Sequence, residues 1–381
     1  MYRRRNNLVA DNNGWVKARP IIMLISRLII AIVFIFSGFV KAIDPLGGTY
    51  KIDDYLTAFG GIFTSLTPVA FVTAVLQSTL ELVIGLNLLF RIHLRSTTYI
   101  ALAFMIIMLP LTLYIALKNP VSDCGCFGDA LIISNWQTFY KNIVITILII
   151  LLLITSTKHK PILLPNIEWI ITGIFVLTGF GLSYYSYNHL PIIDFRPYKI
   201  GTNISEAMYV PDDAPMDKYE TTFIYEKDGV QKEFTLENYP KNDSTWKFVD
   251  QKTTLISTGY KAPIHDFSIV TEGYDDITDE VIHYEGKSYL LVMYDLDKTS
   301  EKGAKKAEAI YQKYKDTNTR FYALTASSDE TISKFKEKTG VTFPFCKTDP
   351  ITLKTIVRSN PGLVLIENGV ITGKWHWHDF N

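Results

Sequence analysis

The chain has 381 residues, with 38 basic against 38 acidic side chains, 48% hydrophobic residues and 3 cysteines. Three cysteines exclude a disulfide-scaffolded secreted protein, and 22 glycines with 16 prolines are too few for a fibrous or disordered one. The neutral total hides a segregation, because residues 1–187 hold 14 basic and 8 acidic side chains while residues 188–381 hold 24 and 30. With no basic tract beyond Arg3, Arg4 and Arg5, nucleic acid is not an expected partner.

Taken in chain order, five apolar stretches are long enough to cross ~30 Å of hydrocarbon. They run over Ile21–Ile43, Leu66–Phe90, Thr97–Leu117, Trp136–Thr157 and Ile167–Tyr187. Buried core helices are the alternative, but those carry a polar face, and the run Ile143–Ile154 has none. The first stretch is too long for a cleaved signal and lacks a small-residue cleavage site, so it is expected to stay in the membrane. The lipid bilayer is thus the first expected partner.

Lysine and arginine in the short loops set the expected orientation. Arg3, Arg4, Arg5, Lys17 and Arg19 precede the first span, Arg91 and Arg95 follow the second, and Lys158 and Lys160 follow the fourth. That places the N-terminus in the cytoplasm and, with five spans, everything after Tyr187 outside, together with loops 44–62 and 118–135. Tyr184, Tyr185 and Tyr187 close the fifth span as an interfacial aromatic belt does. The expected location is a bacterial inner membrane with a periplasmic C-terminal domain.

The domain boundaries expected are 1–187 for the membrane bundle, 188–254 for a connector and β-hairpin region, and 255–381 for a soluble α/β domain. Thr221–Tyr225 and Val230–Leu236 form a hairpin around Asp228-Gly229, a dipeptide suited to positive φ. Then follow a strand at Tyr289–Tyr294, a helix at Lys302–Tyr314, a strand at Phe321–Thr325 and helices at Glu330–Thr339 and Asp349–Arg358. A final hairpin pairs Gly362–Glu367 with Val370–Trp375 across Asn368-Gly369.

Cys124 and Cys126 lie in Asp123-Cys-Gly-Cys-Phe-Gly128-Asp129, on the outer side by this topology. Cysteines at i and i+2 can close only a small, strained ring, and strained exposed disulfides exchange readily. A redox centre, a structural staple and half of a metal site completed by His376 and His378 all stay open at this point. The flanking Asp123 and Asp129 are expected to raise a thiol pKa and slow exchange. Cys346, in a strand of the soluble domain, is expected to be a small buried hydrophobe. Within the spans, Arg27 and Glu81 differ in depth by only about 5 Å at ~1.5 Å per residue, so they are expected to pair between adjacent helices, as packing glue or in proton or quinone handling. Lys41 and Asp44 are expected to be interfacial anchors.

Phe34-Ile-Phe-Ser-Gly-Phe-Val-Lys-Ala-Ile-Asp-Pro45, Glu81 and the Asp-Cys-Gly-Cys-Phe-Gly loop resemble the DoxX and MauE families over residues 20–157. These are small four-helix bacterial inner-membrane proteins. The resemblance implies either quinone-coupled sulfur or thiol oxidation, as in DoxX relatives, or maturation of a disulfide-rich periplasmic dehydrogenase, as with MauE. The tail resembles thioredoxin-like domains of the TlpA and peroxiredoxin type through Ala262-Pro-Ile-His-Asp-Phe-Ser-Ile269, Glu285–Tyr294 and Ser359–Gly369. There Pro361, preceded by Asn360, matches the family's cis-proline, which implies a groove that binds extended thiol substrates. Where that family has Cys-x-x-Cys, this chain has Asp295-Leu-Asp-Lys-Thr-Ser-Glu301, so the domain cannot run a two-cysteine exchange alone.

Two functions follow as expectations. In one, Cys124 and Cys126 cycle between dithiol and disulfide, exchanging electrons with a quinone or a periplasmic redox protein, while the degenerate thioredoxin-like domain docks the client. In the other, the protein is a non-enzymatic membrane scaffold or assembly factor with a structural disulfide. No resident cofactor is evident in the sequence.

Overall fold

The structure, a computed structural model, describes residues 12–121, 123–156, 163–241, 243–257 and 259–380. Arg3, Arg4, Arg5, Lys158 and Lys160, on which the expected orientation partly rests, lie outside the described residues, as does the Lys17 side chain.

The N-terminal half is helical: α1 Asn12–Ile43, α2 Pro45–Phe59, α3 Ala70–Phe90, α4 Leu94–Lys118, α5 Asn135–Ser156 and α6 Pro165–Asn188. Five stretches are long and apolar enough to cross a membrane, namely Ala18–Ile43, Gly61–Phe90, Leu94–Lys118, Asn135–Ser156 and Pro165–Asn188. Their large side chains divide between two environments. Ile30, Phe34, Ile84, Leu88, Met105, Ile149 and Leu152 form a buried core, while Ile32, Ile106, Ile107 and Leu177 are more than 60% exposed, as lipid-facing residues are.

Lipid offers no hydrophobic drive between helices, so close backbone approach decides their packing. A Cβ at Gly38 would stand 2.3 Å from the Leu82 nitrogen, and one at Gly85 would stand 2.6 Å from the Ile35 nitrogen. Glycine therefore lets α1 and α3 touch, antiparallel, with Gly38 beside Leu82 and Ile35 beside Gly85. This register overturns the expected Arg27–Glu81 pair, because it sets Glu81 opposite the Ser37–Lys41 turn. Arg27 lies beside the far end of α3 and donates to the Leu88 and Leu89 carbonyls at 2.9 and 3.0 Å, in the last turn of the helix, where the dipole favours a cation.

Two local differences from expectation have plain causes. The second span begins with a 3-10 stretch at Gly61–Val69 containing Pro68, so its α-helix starts only at Ala70. Loop 44–62 contains a helix, α2, which Asp44 caps by accepting from Gly47 N at 2.9 Å, with Pro45 at its first position.

Past α6 come a short helix α7 Ile204–Met208 and strands β1 Lys218–Lys227, β2 Val230–Thr235 and β3 Lys247–Ser257, which form an antiparallel sheet ordered β2-β1-β3. Positive φ at Asp228 and Gly229 makes its hairpin turn. The remaining elements are β4 Val270–Thr271, α8 Thr278–Ile282, β5 Lys287–Val292, α9 Glu301–Tyr314, β6 Thr319–Thr325, α10 Asp329–Thr339, β7 Phe345–Lys347, α11 Pro350–Ile356, β8 Gly362–Glu367 and β9 Val370–His376.

These make a six-stranded sheet ordered β4-β7-β6-β5-β8-β9. Strands β5, β6 and β7 run parallel, and β8 and β9 return antiparallel. Alternate residues face opposite layers. Leu290, Val292 and Val364 pack toward α8 and α11, while Leu291, Phe321 and Leu363 pack toward α9 and α10. The central β-α-β and β-hairpin arrangement is that of a thioredoxin-like domain, with a cis Asn360–Pro361 peptide at the start of β8. Cys346 is buried in the core, 2% exposed.

Candidate functional site

Between α4 and α5 the chain turns back on itself with positive φ at Gly125 and Gly128. Gly125 N donates to Asp123 Oδ1 at 2.8 Å, and Gly128 N donates to the Gly125 carbonyl at 3.1 Å. A side chain at Gly125 would collide with the stem of Lys51, whose ammonium holds Asp123 at 3.1 Å. This tight loop brings the sulfurs of Cys124 and Cys126 to 2.9 Å, both as partly exposed free thiols. Two hydroxyls fix its backbone. Tyr55 of α2 donates to the Cys124 carbonyl at 2.5 Å, and Ser37 of α1 lies 2.6 Å from the Cys126 carbonyl.

Beneath the loop is a buried polar cluster. The Ser37 hydroxyl also lies 2.6 Å from Glu81 Oε2, Lys41 Nζ donates to Glu81 Oε1 and Oε2 at 2.8 and 3.0 Å, and Gln77 Nε2 donates to Oε1 at 3.0 Å. Lys41 is therefore not an interfacial anchor. With 13% of its side chain exposed against 3% for Glu81, it is the buried partner that Glu81 needs at this depth.

The two sulfurs differ electrostatically. The hydrogen bond from Cys124 is the largest influence lowering the Cys126 thiol, to about 6, with Lys141 and Lys41 acting the same way against burial. Cys124 is pushed well up by that same hydrogen bond and by burial. The expectation that Asp123 and Asp129 would hold the thiols protonated fails for Cys126, since both carboxylates are engaged elsewhere, Asp123 by Lys51 and Asp129 by Arg358 at 3.2 Å.

Arg358 comes from the far end of the chain, between α11 and β8. Its Nε lies 3.0 Å from both Asp44 carboxylate oxygens, and it packs 5.3 Å from the centre of the Tyr50 ring on α2. Burial alone would raise the Asp44 carboxyl, but the Arg358 charge, then Arg196 and hydrogen bonds from Arg358 and Gly47, bring it below the usual carboxylate range. Asp44 is thus a clamp residue and not a membrane anchor. It seats the thioredoxin-like domain on the same face of the bundle as α2 and the cysteine loop.

A cavity of about 530 Å³ opens where these parts meet. Its lower wall is apolar, with Phe34, Phe104, Met105, Met108 and Ile145, and its upper wall carries Cys124, Cys126, Tyr55, Lys141, Lys354 and Arg358. The sequence-predicted residues divide accordingly. Cys124, Cys126 and Glu81 line this cavity, whereas Arg27, Asn360 and Pro361 are not among its lining residues. Pro361 is buried, and the Asn360 carbonyl already accepts from Ser300 N at 3.0 Å. Its side chain bonds Thr299 and the Asp295 carbonyl. The expected client groove therefore has its backbone acceptor engaged internally.

His376 and His378 pack against each other, His378 bonds the Asn188 carbonyl at 2.7 Å, and neither is among the residues lining the cysteine cavity. Among the described residues no group of three or more His, Cys, Asp or Glu side chains is placed to hold a metal ion. Sequence reasoning gave no site role to Ser37, Tyr55 and Arg358, and assigned Lys41 to the interface. The i, i+4 spacing of Ser37 and Lys41 on the glycine-bearing face of α1 was a usable signal for both. Nothing local marks Arg358.

The fold and site together define an integral membrane protein that carries a dithiol loop at one face of its helix bundle and a thioredoxin-like domain above it. Comparison with known proteins adds detail. Residues 19–155, which hold the first four membrane-length helices, match the family described as methylamine utilisation protein MauE. Residues 219–258, containing the three-stranded sheet, match a domain of unknown function, DUF8463. None of the curated proteins is detectably similar in sequence. Among solved structures, a candidate protein disulfide isomerase from Bacteroides thetaiotaomicron is similar at 20% identity over 30% of this chain and 76% of that one, with a TM-score of 0.26.

Proposed function

We propose that this protein is a membrane thiol–disulfide exchange protein of the bacterial inner membrane whose redox centre is Cys124 and Cys126. The observation that carries the reading is the geometry of the dithiol, two sulfurs 2.9 Å apart that both line one cavity, and the hydrogen bond between them lowers the Cys126 thiol while raising that of Cys124. Such a pair suits exchange, because the low-pKa sulfur is the better leaving group and exists as thiolate at neutral pH. The loop, α2 and the thioredoxin-like domain face the periplasm in this reading, where disulfides persist.

The chemistry balances with two partners named by class. A client dithiol reduces the Cys124–Cys126 disulfide, so the client disulfide forms, the loop S–S bond breaks, and two electrons and two protons move to the loop. The loop dithiol then passes both electrons and both protons to a quinone, giving quinol and restoring the disulfide. With a periplasmic redox protein as electron donor the first step takes the same form. The apolar lower wall of the cavity supports a lipid-soluble acceptor. In this reading the thioredoxin-like domain, without cysteines at Asp295–Glu301, supplies the cover and the partner surface and not the chemistry.

A second reading, a scaffold with a structural loop disulfide, is favoured by the internally bonded Asn360 carbonyl. Acid quenching of cells followed by thiol alkylation and mass analysis separates the two. Exchange requires a mixture of dithiol and disulfide that moves toward dithiol when quinone reoxidation is blocked. A pair that stays oxidised under both conditions and resists mild reductant rejects the exchange reading in favour of the scaffold.

A further inference from the structure

The cysteine loop is held by its own backbone bonds, yet its surroundings contain cations from two helices that loop geometry does not require. Lys41 of α1 sits within the buried Ser37–Glu81–Gln77 cluster, and Ser37 joins that cluster to the Cys126 carbonyl. Lys141, in the second turn of α5, places its ammonium 4.6 Å from the centre of the ring of Phe127, the residue after Cys126. Both lysines and Glu81 line the cysteine cavity. A buried lysine bound to one carboxylate satisfies that carboxylate but is costly to desolvate, and packing alone would be served as well by an apolar residue.

We propose that Lys41 and Lys141 are the positioning residues of the dithiol, two cations from separate helices that supply positive charge to the Cys126 sulfur, with Glu81 setting how much of the Lys41 charge reaches it. The assignment rests on the exchange reading for its purpose but not for its test. The charged and titratable groups that line the cavity with Cys126 come from every element around it: Lys41 from α1, Asp44 at its end, Tyr50, Lys51, Asp54 and Tyr55 from α2, Glu81 from α3, Lys141 from α5, Cys124, Asp123 and Asp129 from the loop, Asp194 and Arg196 from the segment after α6, and Lys354 and Arg358 from the soluble domain. Lys51 is engaged by Asp123, Asp44 and Asp129 by Arg358, and Asp194 by Arg196, while Lys354 lies over the Tyr50 ring, so Lys41, Lys141 and Glu81 are the charges that act most on the sulfur. Their directions agree with this, the two lysines favouring the thiolate and Glu81 opposing it.

The arrangement makes two partners of one ion pair act in opposite senses. Removing Lys41 should make Cys126 less reactive at pH 5, below its midpoint, and removing the charge of Glu81, with Lys41 retained, should make it more reactive there. Loss of packing would push both variants the same way.

The experiment uses the full-length reduced protein in detergent, with the rate of iodoacetamide alkylation at Cys126 followed by fragment mass spectrometry from pH 5 to 10. For Lys41→Met and Lys141→Met the expected result is a profile displaced to higher pH, with the thiolate-dependent rate at pH 5, below the parent midpoint, reduced about tenfold for each unit of displacement. Glu81→Gln should displace it to lower pH, and Lys41→Arg should stay near the parent. Size-exclusion profiles identify any variant that fails to fold, and for such a variant Lys41→Arg against Lys41→Gln carries the comparison. Coincident profiles for Lys41→Met, Glu81→Gln and parent, or displacement of both in one direction, overturn the proposal. Redox-inert cysteines in cells would reject the exchange reading while leaving this result intact, so the two failures are distinguishable.

Discussion

Arg358 and Asp44 are separated by 314 positions, and the Arg358 Nε lies 3.0 Å from each Asp44 carboxylate oxygen. Asp44 is also the N-cap of α2, so one carboxylate orders the helix that carries Tyr50 and Tyr55 and receives the soluble domain. With 8% of the Arg358 side chain and 20% of that of Asp44 exposed, the pair is mostly withdrawn from solvent. Removing one member of such a pair leaves an uncompensated charge and costs about 3–5 kcal/mol.

Arg358→Met is therefore expected to unseat the thioredoxin-like domain from the bundle without unfolding either part. Limited proteolysis should show faster cleavage in the connector 189–197, and hydrogen exchange should quicken in α2. Adding Asp44→Asn should recover part of the protection, because the orphaned carboxylate is then neutral. Unchanged cleavage in Arg358→Met would show that the clamp does not hold the domains together.

This contact also marks the limit of what the sequence discloses. The five spans were legible because runs such as Ile143–Ile154 admit only lipid or core, and the final hairpin because Asn368-Gly369 suits positive φ. Strand β3 was missed because Lys247–Ser257 alternates weakly and includes Asp250, Gln251 and Lys252. The partner of Glu81 was misassigned because depth along a helix says nothing of register. Gly38 and Gly85 fix that register, and their role emerges only when the backbones they admit are known. The cysteine loop was visible as a motif, but the inequality of its two thiols depends on the hydrogen bond between them and on Lys41 and Lys141, which lie far from it in sequence.

Gly38 offers a direct check of the α1–α3 register. Its would-be Cβ meets three backbone atoms of α3 at 2.3 to 2.8 Å, which no rotamer change can relieve. Gly38→Ala should therefore destabilise the bundle by about 1–3 kcal/mol or more through overpacking. Thermal stability in detergent, followed by size exclusion, should fall clearly. The same substitution at Gly173, which has open space around it, should leave stability near the parent. Equal behaviour of the two variants would reject the register.

The Cys126 thiol supplies a pH prediction. Its largest lowering influence is the hydrogen bond from Cys124, and its pKa is placed at about 6. Alkylation tracks the thiolate, so reduced parent protein should react at Cys126 with a rate that rises through pH 6 and levels off above 7, while Cys124 stays unreactive over that range. Cys124→Ala removes the donor, so the Cys126 profile should move to higher pH, whereas Cys124→Ser, whose hydroxyl can still donate, should move it less. A Cys126 profile centred near the ordinary thiol value of ~8.5 in the parent would reject the asymmetry.

The same asymmetry says which single-cysteine variant captures a partner, and thereby which way electrons run. In thiol oxidation the client thiolate attacks the sulfur whose departure partner leaves best, so it attacks Cys124 and expels Cys126. Cys126→Ser cannot form the loop disulfide, but its Cys124 can attack the disulfide of the oxidised client, releasing one client thiol, and accumulate a mixed disulfide that no neighbouring loop thiol resolves. In disulfide reduction the Cys126 thiolate attacks the client and Cys124 resolves the intermediate, so Cys124→Ser is the trapping variant. Non-reducing gels of acid-quenched membranes from the two variants are expected to show a high-mass adduct in one far above the other. Adducts from Cys126→Ser indicate an oxidase and adducts from Cys124→Ser a reductase. Equal or absent adducts in both would mean that the two sulfurs are not functionally distinct, and the assignment of unequal roles to Cys124 and Cys126 would fall.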